Sequence, residues 1–397
     1  MQPLLVTTFT TTTALGRGIV DTLSALRAQR SGLKAISWEG ADLPSYLGEV
    51  AGLDSMAMRA DLQDFDCRNN RLAQVSLEQD GFMQRVQVVA ERYGKERIGV
   101  FLGSSTSGIL SSEQAYRQRD PVSGALPTSY SYRHTHNMFS LADFVRHYAD
   151  LRGPAYVVST ACSSSAKVFG IAQRMIHCGL IDAAVVGGVD SLCLTTIYGF
   201  NSLQLVSSNP CMPFASQRDG ISIGEGAAFI LLERADQAQP GDILLSGVGE
   251  SSDAHHMSAP HPEGLGARLA MQAALDMAGL QPESVGYINL HGTATPSNDA
   301  AEDLSVTSVF GTTTPCSSTK GHTGHTLGAA GGVEAVICAI VLRHGFLPGG
   351  VGTQATDPHL RCNYLLANQE VAITHALSNS FGFGGSNCSL LFSRQTA

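Results

Sequence analysis

The sequence predicts an α/β protein built from two similar halves, residues 1–240 and 241–397. Three observations support this. Short apolar runs of strand length alternate with stretches of helical spacing along the chain. The alternation restarts near residue 240, at the turn signal Pro240-Gly241-Asp242. No low-complexity linker and no solenoid period interrupts it.

In the first half, residues 98–102 form a strand candidate ending at Gly103, residues 155–159 a second, and residues 183–186 a third that stops at Gly187-Gly188. Between the last two, Val168, Ala172, Met175 and Ile176 recur at helical spacing, and Gly179 suits the exit of a helix over 163–179. Residues 227–233 read as a closing strand. Residues 243–247 open the second series. Helices follow over 266–278 and 299–310 with a strand over 286–290 between them, and residues 328–343 make a third helix candidate. The series ends in two strands, 377–381 and 388–392, around the Gly-rich loop 382–385. The halves share a rhythm, which hints at an internal duplication.

Composition narrows the function classes. The chain has 397 residues, enough for one large domain or two packed half-domains. Hydrophobic residues make up 43%, as in ordinary soluble proteins, but charged residues only 15%. Such low charge fits either surface hidden in an oligomer or a core rich in small residues. The net charge of −9, with no run of Lys or Arg, argues against nucleic acid and anionic membranes as partners. Residues 1–13 are Thr-rich and lack the basic and apolar segments of a signal peptide, and no stretch is expected to approach the length of a membrane span. The expected location is cytosolic. The nine cysteines are odd in number, irregularly spaced and without Cys-x-x-Cys, which speaks against a disulfide framework or a zinc site. Buried, inert thiols explain most of them.

Cys162 asks for more. Ser159-Thr160-Ala161-Cys162-Ser163-Ser164-Ser165 joins a strand to a helix. A cysteine at a helix N-terminus gains from unpaired N–H groups and the dipole, which favour the thiolate, and the same N–H groups with Cys162's own amide suit an oxyanion. A lone cysteine is more often structural, so the case needs partners. His291-Gly292-Thr293-Ala294-Thr295 follows the strand at 286–290. Lys320-Gly321-His322-Thr323-Gly324-His325 leads through Gly328-Ala329-Ala330-Gly331-Gly332 into a helix. Glycines beside a histidine let a ligand approach the backbone closely. The densest histidine cluster, His255, His256 and His261, matches no common zinc spacing and reads as architecture; no metal site is expected.

These segments resemble the elongating β-ketoacyl-acyl-carrier-protein synthases, within the thiolase-fold condensing enzymes, over nearly the whole chain. The resemblance is carried by Thr160-Ala161-Cys162-Ser163-Ser164, Pro213-Phe214 through Arg218-Asp219-Gly220 to Gly224-Glu225-Gly226-Ala227, His291-Gly292-Thr293, Lys320 with Gly324-His325 and Gly328-Ala329-Ala330-Gly331, and Asn379-Ser380-Phe381-Gly382-Phe383-Gly384-Gly385-Ser386-Asn387. It implies a five-layer α/β/α/β/α sandwich, with the nucleophile in the first half and both histidines in the second. It implies that Cys162 takes an acyl chain from a carrier thioester, and that His291 and His325 hold a malonyl-carrier carbonyl and promote loss of CO2. Neutral imidazole N–H donors suit that role, because they stabilise an enolate without protonating it.

Lys320 and Glu334 resemble the family's supporting lysine and glutamate, either acting directly or as a structural ion pair. Thr293, Thr295, Phe200, Phe381 and Phe383 are the implied substrate and phosphopantetheine contacts, Phe383 as a gate. The phosphopantetheine arm is expected to arrive on an acyl carrier protein, with no further cofactor. The partner is expected to be an identical subunit or a chain-length-factor relative. Departures at residues 7–13, 209–213 and 294–300 lie near expected channel and carrier surfaces and bear on the acyl substrate; they allow fatty-acid, polyketide or aryl-polyene chain extension. A thiolase would carry a second cysteine in the late Gly-rich loop, a CoA-primed initiating synthase an Asn in place of one His, and a chain-length factor usually no nucleophilic Cys.

Overall fold

The computed structural model describes residues 2–38 and 40–396; Met1, Glu39 and Ala397 lie outside the described residues. Ten strands form its frame: β1 (Leu4–Thr13), β2 (Ile98–Gly103), β3 (Ala155–Val158), β4 (Ala183–Asp190), β5 (Gly226–Arg234), β6 (Ile243–Ser252), β7 (Tyr287–Asn289), β8 (Pro315–Ser317), β9 (His375–Gly382) and β10 (Ser386–Arg394). The first five lie in the order β3-β2-β4-β5-β1, and the last five repeat that order as β8-β7-β9-β10-β6. In each set the first three strands are mutually parallel and the fourth is antiparallel to both of its neighbours. The two sheets meet edge to edge where Leu4 and Leu5 of β1 face Leu245 and Leu244 of β6.

Among the helices that cover this frame are α1 (Arg68–Leu77), α2 (Phe139–Tyr148), α3 (Ser164–His177), α4 (Leu194–Ser202), α5 (Leu265–Ala278), α6 (Pro296–Phe310) and α7 (Ala330–His344). Three apolar clusters define the layers. One joins α3 and α7 to the inner faces of both sheets, one joins α1 and α2 to the outer face of the first sheet, and one joins α5 and α6 to the outer face of the second. The period of two makes this possible: Phe101 of β2 points into the central cluster while Val100 and Leu102 point outward. The result is the five-layer α/β/α/β/α sandwich. Helices α3 and α7 touch closely because position 331 is glycine; a Cβ there would lie 2.7 Å from Ala166 Cβ.

Two expectations need revision. Residues 327–344 do reach the length and mean hydropathy of a membrane span, but 89% of that segment is buried inside the protein. A helix apolar on all sides is what the middle layer of a sandwich requires. The Thr-rich N-terminus, polar by composition, is a central strand with Thr10, Thr11, Thr12 and Thr13 all buried. β-branched threonines fit a pleated sheet, and Thr11 donates to Ala227 O while Thr10 donates to Asp80. Strand β8 and helices α1, α2 and α4 had no counterpart in the sequence reading.

Candidate active site

Cys162 sits in the short turn between β3 and α3. Ala161 before it adopts φ +52°, rare for a residue with a side chain, and this reverses the chain so that Cys162 faces the gap between the two halves. The thiolate expected at rest is opposed by what surrounds the sulfur. The Ser164 amide at the start of α3 bonds Ala161 O at 3.1 Å and the Ala166 amide bonds Ser163 O at 3.1 Å, so these N–H groups are already used. Burial pushes the Cys162 thiol up to about 12, against the pull of the Lys320 charge. Burial thus favours the thiol, while the Lys320 charge and the Phe383 N–H pull toward the thiolate.

His325 approaches it directly, with Nε2 3.0 Å from Cys162 Sγ. Its backbone is pinned on both sides: its N–H donates to Ser222 O at 2.7 Å, and its carbonyl accepts from Gly224 N–H at 2.9 Å. This explains the glycine at 224, where a Cβ would lie 2.3 Å from Thr323 O. Leu327 N–H donates to His325 Nδ1 at 3.2 Å. A ring nitrogen that accepts carries no proton, so the neutral ring holds its proton on Nε2, facing the sulfur.

His291 follows β7 and stands edge-on to His325, ring centroids 5.4 Å apart. The buried Glu302 of α6 accepts the N–H groups of His291 and Gly292 at 2.7 Å each, which fixes the start of this loop. Burial pushes Glu302 up to about 7, opposed by those two N–H donors. Lys320, itself buried, donates to Glu334 and to His291 O, and its Nζ lies 3.5 Å from His291 Nδ1. An ammonium has only protons to offer, so Nδ1 accepts and His291 also carries its proton on Nε2. Burial first, and then the Lys320 charge, hold both imidazoles well below the ordinary histidine range. Both are neutral donors.

The ligand atoms of Cys162, His291 and His325 lie within 4.8 Å of one another, and among the described residues this is the one cluster that approaches metal-binding geometry. Metal binding at His325 Nε2 would place the ring proton on Nδ1, against the Leu327 N–H. The hydrogen bonds favour donors over ligands. The rings of His255 and His261 lie 5.2 Å apart, tilted against each other, outside this cluster.

A cavity of about 600 Å³ opens onto the three side chains and is walled by Thr293, Thr295, Phe200, Phe381 and Phe383. Every expected substrate contact thus borders one space. Lys320 and Glu334 do not border it; they lie behind His291. The sequence reading missed Leu205, Ile221 and Ser258-Ala259-Pro260, which also line the cavity, and Glu302, an acid mid-helix that looks solvent-facing by type. It also missed Asp190, buried at the end of β4 and encircled by donors.

The family profile described as beta-ketoacyl synthase, N-terminal domain matches residues 1–238, and the corresponding C-terminal domain matches residues 244–354. The chain belongs to the beta-ketoacyl synthase family. This synthase is 31% identical over 95% of its length to 3-oxoacyl-[acyl-carrier-protein] synthase 2 of Staphylococcus aureus (strain COL), covering 98% of that protein. Its fold matches the ketosynthase ApeO, solved in complex with its chain length factor ApeC from Xenorhabdus doucetiae, with TM-score 0.90 and 40% identity over 99% of this chain and 98% of that one. It also matches a beta-ketoacyl synthase from Burkholderia phymatum STM815, with TM-score 0.87 and 28% identity over the full length of both. The synthase is an acyltransferase of the ketosynthase family.

Proposed function

We propose that this synthase joins a Cys162-bound acyl chain to malonyl-carrier by decarboxylative Claisen condensation, with a β-ketoacyl-carrier and CO2 as products. The observation that carries the proposal is the convergence of one thiol and two neutral Nε2–H donors on a single walled cavity. In the first half-reaction Cys162 sulfur attacks the acyl thioester, the carrier's phosphopantetheine thiol leaves with the Cys162 proton, and the acyl group stays on sulfur. The His325 N–H at 3.0 Å stabilises the anionic sulfur as it forms.

In the second half-reaction both Nε2–H groups hold the malonyl thioester oxygen. The bond to the carboxylate breaks, CO2 leaves, and the electron pair spreads onto that oxygen. The enolate carbon then attacks the acyl-Cys carbonyl, Cys162 leaves as the thiolate, and a solvent proton returns it to the thiol. Thr293 and Thr295, 2.9 Å from each other, would meet the phosphopantetheine arm, and no further cofactor enters the scheme. Lys320 and Glu334 act through His291 as positioning residues.

A carrier protein is the proposed substrate partner. A chain-length-factor-like subunit is the proposed structural partner, supported by the similarity to a ketosynthase solved in complex with one. The open edge of the first sheet, β3 with Tyr156 half exposed, would receive it. Such a pairing favours polyketide-type extension, aryl polyenes included. Nine free thiols accord with a reducing, cytosolic setting.

The test is intact-mass analysis with a panel of acyl-carrier thioesters, followed by addition of malonyl-carrier. An acyl adduct on Cys162, then an elongated carrier product, supports the proposal. Cys162→Ala should lose elongation by at least about a thousandfold while retaining malonyl decarboxylation. Elongation by that variant would disprove the nucleophile.

A further inference from the structure

Asp190 terminates β4 beside the active site, fully buried, and no step above uses it. Its Oδ1 accepts from Ser104 Oγ at 2.7 Å, Ser105 N at 2.8 Å, Thr106 N at 3.0 Å and Thr106 Oγ1 at 2.9 Å. Its Oδ2 accepts from Ser105 Oγ, from Ser105 N at 3.1 Å and, at 2.6 Å, from the N–H of Gly328, which also reaches Ser105 Oγ at 3.2 Å. One carboxylate therefore ties the loop after β2, in the first half, to the loop after His325, in the second. Position 328 is glycine because a Cβ there would lie 2.8 Å from Asp190 Oδ2 and 2.7 Å from Ser105 N.

The residue between His325 and this anchor is the informative one. Leu327 adopts φ +52°, a conformation a branched side chain avoids without an external hold. That conformation carries the Leu327 N–H onto His325 Nδ1 at 3.2 Å. The Gly328–Asp190 bond holds the next peptide. We propose that Asp190 is a positioning residue for His325: through Gly328 it keeps the Leu327 amide on Nδ1 and so fixes the ring proton on Nε2, facing Cys162. The inference rests on the proposed reaction for its consequence, but the tautomer itself is a separate observable.

The charge makes the proposal testable against a merely structural role. Asp190's negative charge is one of those that hold the Cys162 thiol up. Asp190→Asn keeps Oδ1 as an acceptor for the Ser104–Thr106 loop but turns Oδ2 into an N–H2 donor facing the N–H groups of Gly328, its shorter partner, and Ser105. The variant should do two opposite things. Alkylation of Cys162 by iodoacetamide should become about two- to threefold faster, because a negative charge is gone. Malonyl decarboxylation should fall at least about tenfold in kcat with KM little changed, because the donor tautomer is no longer enforced.

The deciding measurement is nitrogen-15 NMR of histidine-labelled enzyme, with the His325 signals assigned by their loss in His325→Ala. Wild type should show the Nε2–H form and Asp190→Asn a mixture. An unchanged tautomer, or an equal fall in alkylation and decarboxylation, would overturn the role of Asp190. A shifted tautomer with undiminished decarboxylation would support the positioning role and instead overturn His325 as the donor. If Asp190→Asn does not fold, Gly328→Ala breaks the same bond from the other side, and the same spectral change is expected.

Discussion

His291 and His325 present the same Nε2–H to the cavity but owe it to different neighbours. His325 relies on a backbone amide and His291 on a buried ammonium. Both rings are held neutral by burial and by Lys320. A base whose pKa is lowered in the folded enzyme stays unprotonated as pH falls past its ordinary value. Malonyl decarboxylation by Cys162→Ala should therefore stay level from about pH 7.5 to about pH 6, with no loss centred near the usual histidine pKa of about 6.5. A midpoint there, in a pH–rate series, would show that a ring, or Glu302 raised to about 7 behind the His291 loop, takes up a proton. The three reactive side chains were legible because each sits in a motif of small residues. The resting charge on Cys162 was not legible, since it depends on which α3 amides are already bonded and on how deeply the sulfur lies. Glu302, 11 residues beyond His291, was hidden because its role is to accept two amides from a loop that folds back onto its helix.

Strands buried on both faces, such as β2 and β4, announced themselves as unbroken apolar runs. Strand β1 did not, because four successive threonines fill buried positions, and the hydroxyls of Thr10 and Thr11 find partners far along the chain. Strand β8 is three residues long, too short for any periodicity. Helix α7 was legible as a helix, but its burial on all sides follows from the second sheet closing over it. Its contact with α3 is a backbone approach at Gly331 and Ala166. Gly331→Val should lower stability by about 3 kcal/mol, read as a fall in the denaturation midpoint, because the added atoms meet Ala166 N and Cβ, which cannot yield without shifting α3. An unchanged midpoint would mean the two helices can separate freely.

The duplication seen as a shared rhythm becomes, in three dimensions, one strand order used twice. Its consequence is a common middle layer: residues of α3 and α7, one helix from each half, fill the same apolar cluster. Neither half can complete that cluster alone. Residues 1–240 expressed separately should be insoluble, or compact without fixed packing and bright with ANS, and co-expression with residues 241–397 should restore a cooperative transition. A sharp, reversible melt of the first half alone would refute this. The site follows the same logic. Its nucleophile enters from one half and its donors from the other, so the cavity exists only when the halves are docked.

The two rings that face the cavity have no proton to spare. Each far nitrogen accepts from a neighbour, and neither near nitrogen can release its hydrogen without leaving an anionic ring in the interior. An enolate formed in the Cys162→Ala enzyme would find no acid among them. Its quenching would fall to water entering past Phe383, so the rate of idle acetyl formation, and the solvent deuterium it carries, would report how often that entrance stands open rather than how fast CO2 departs.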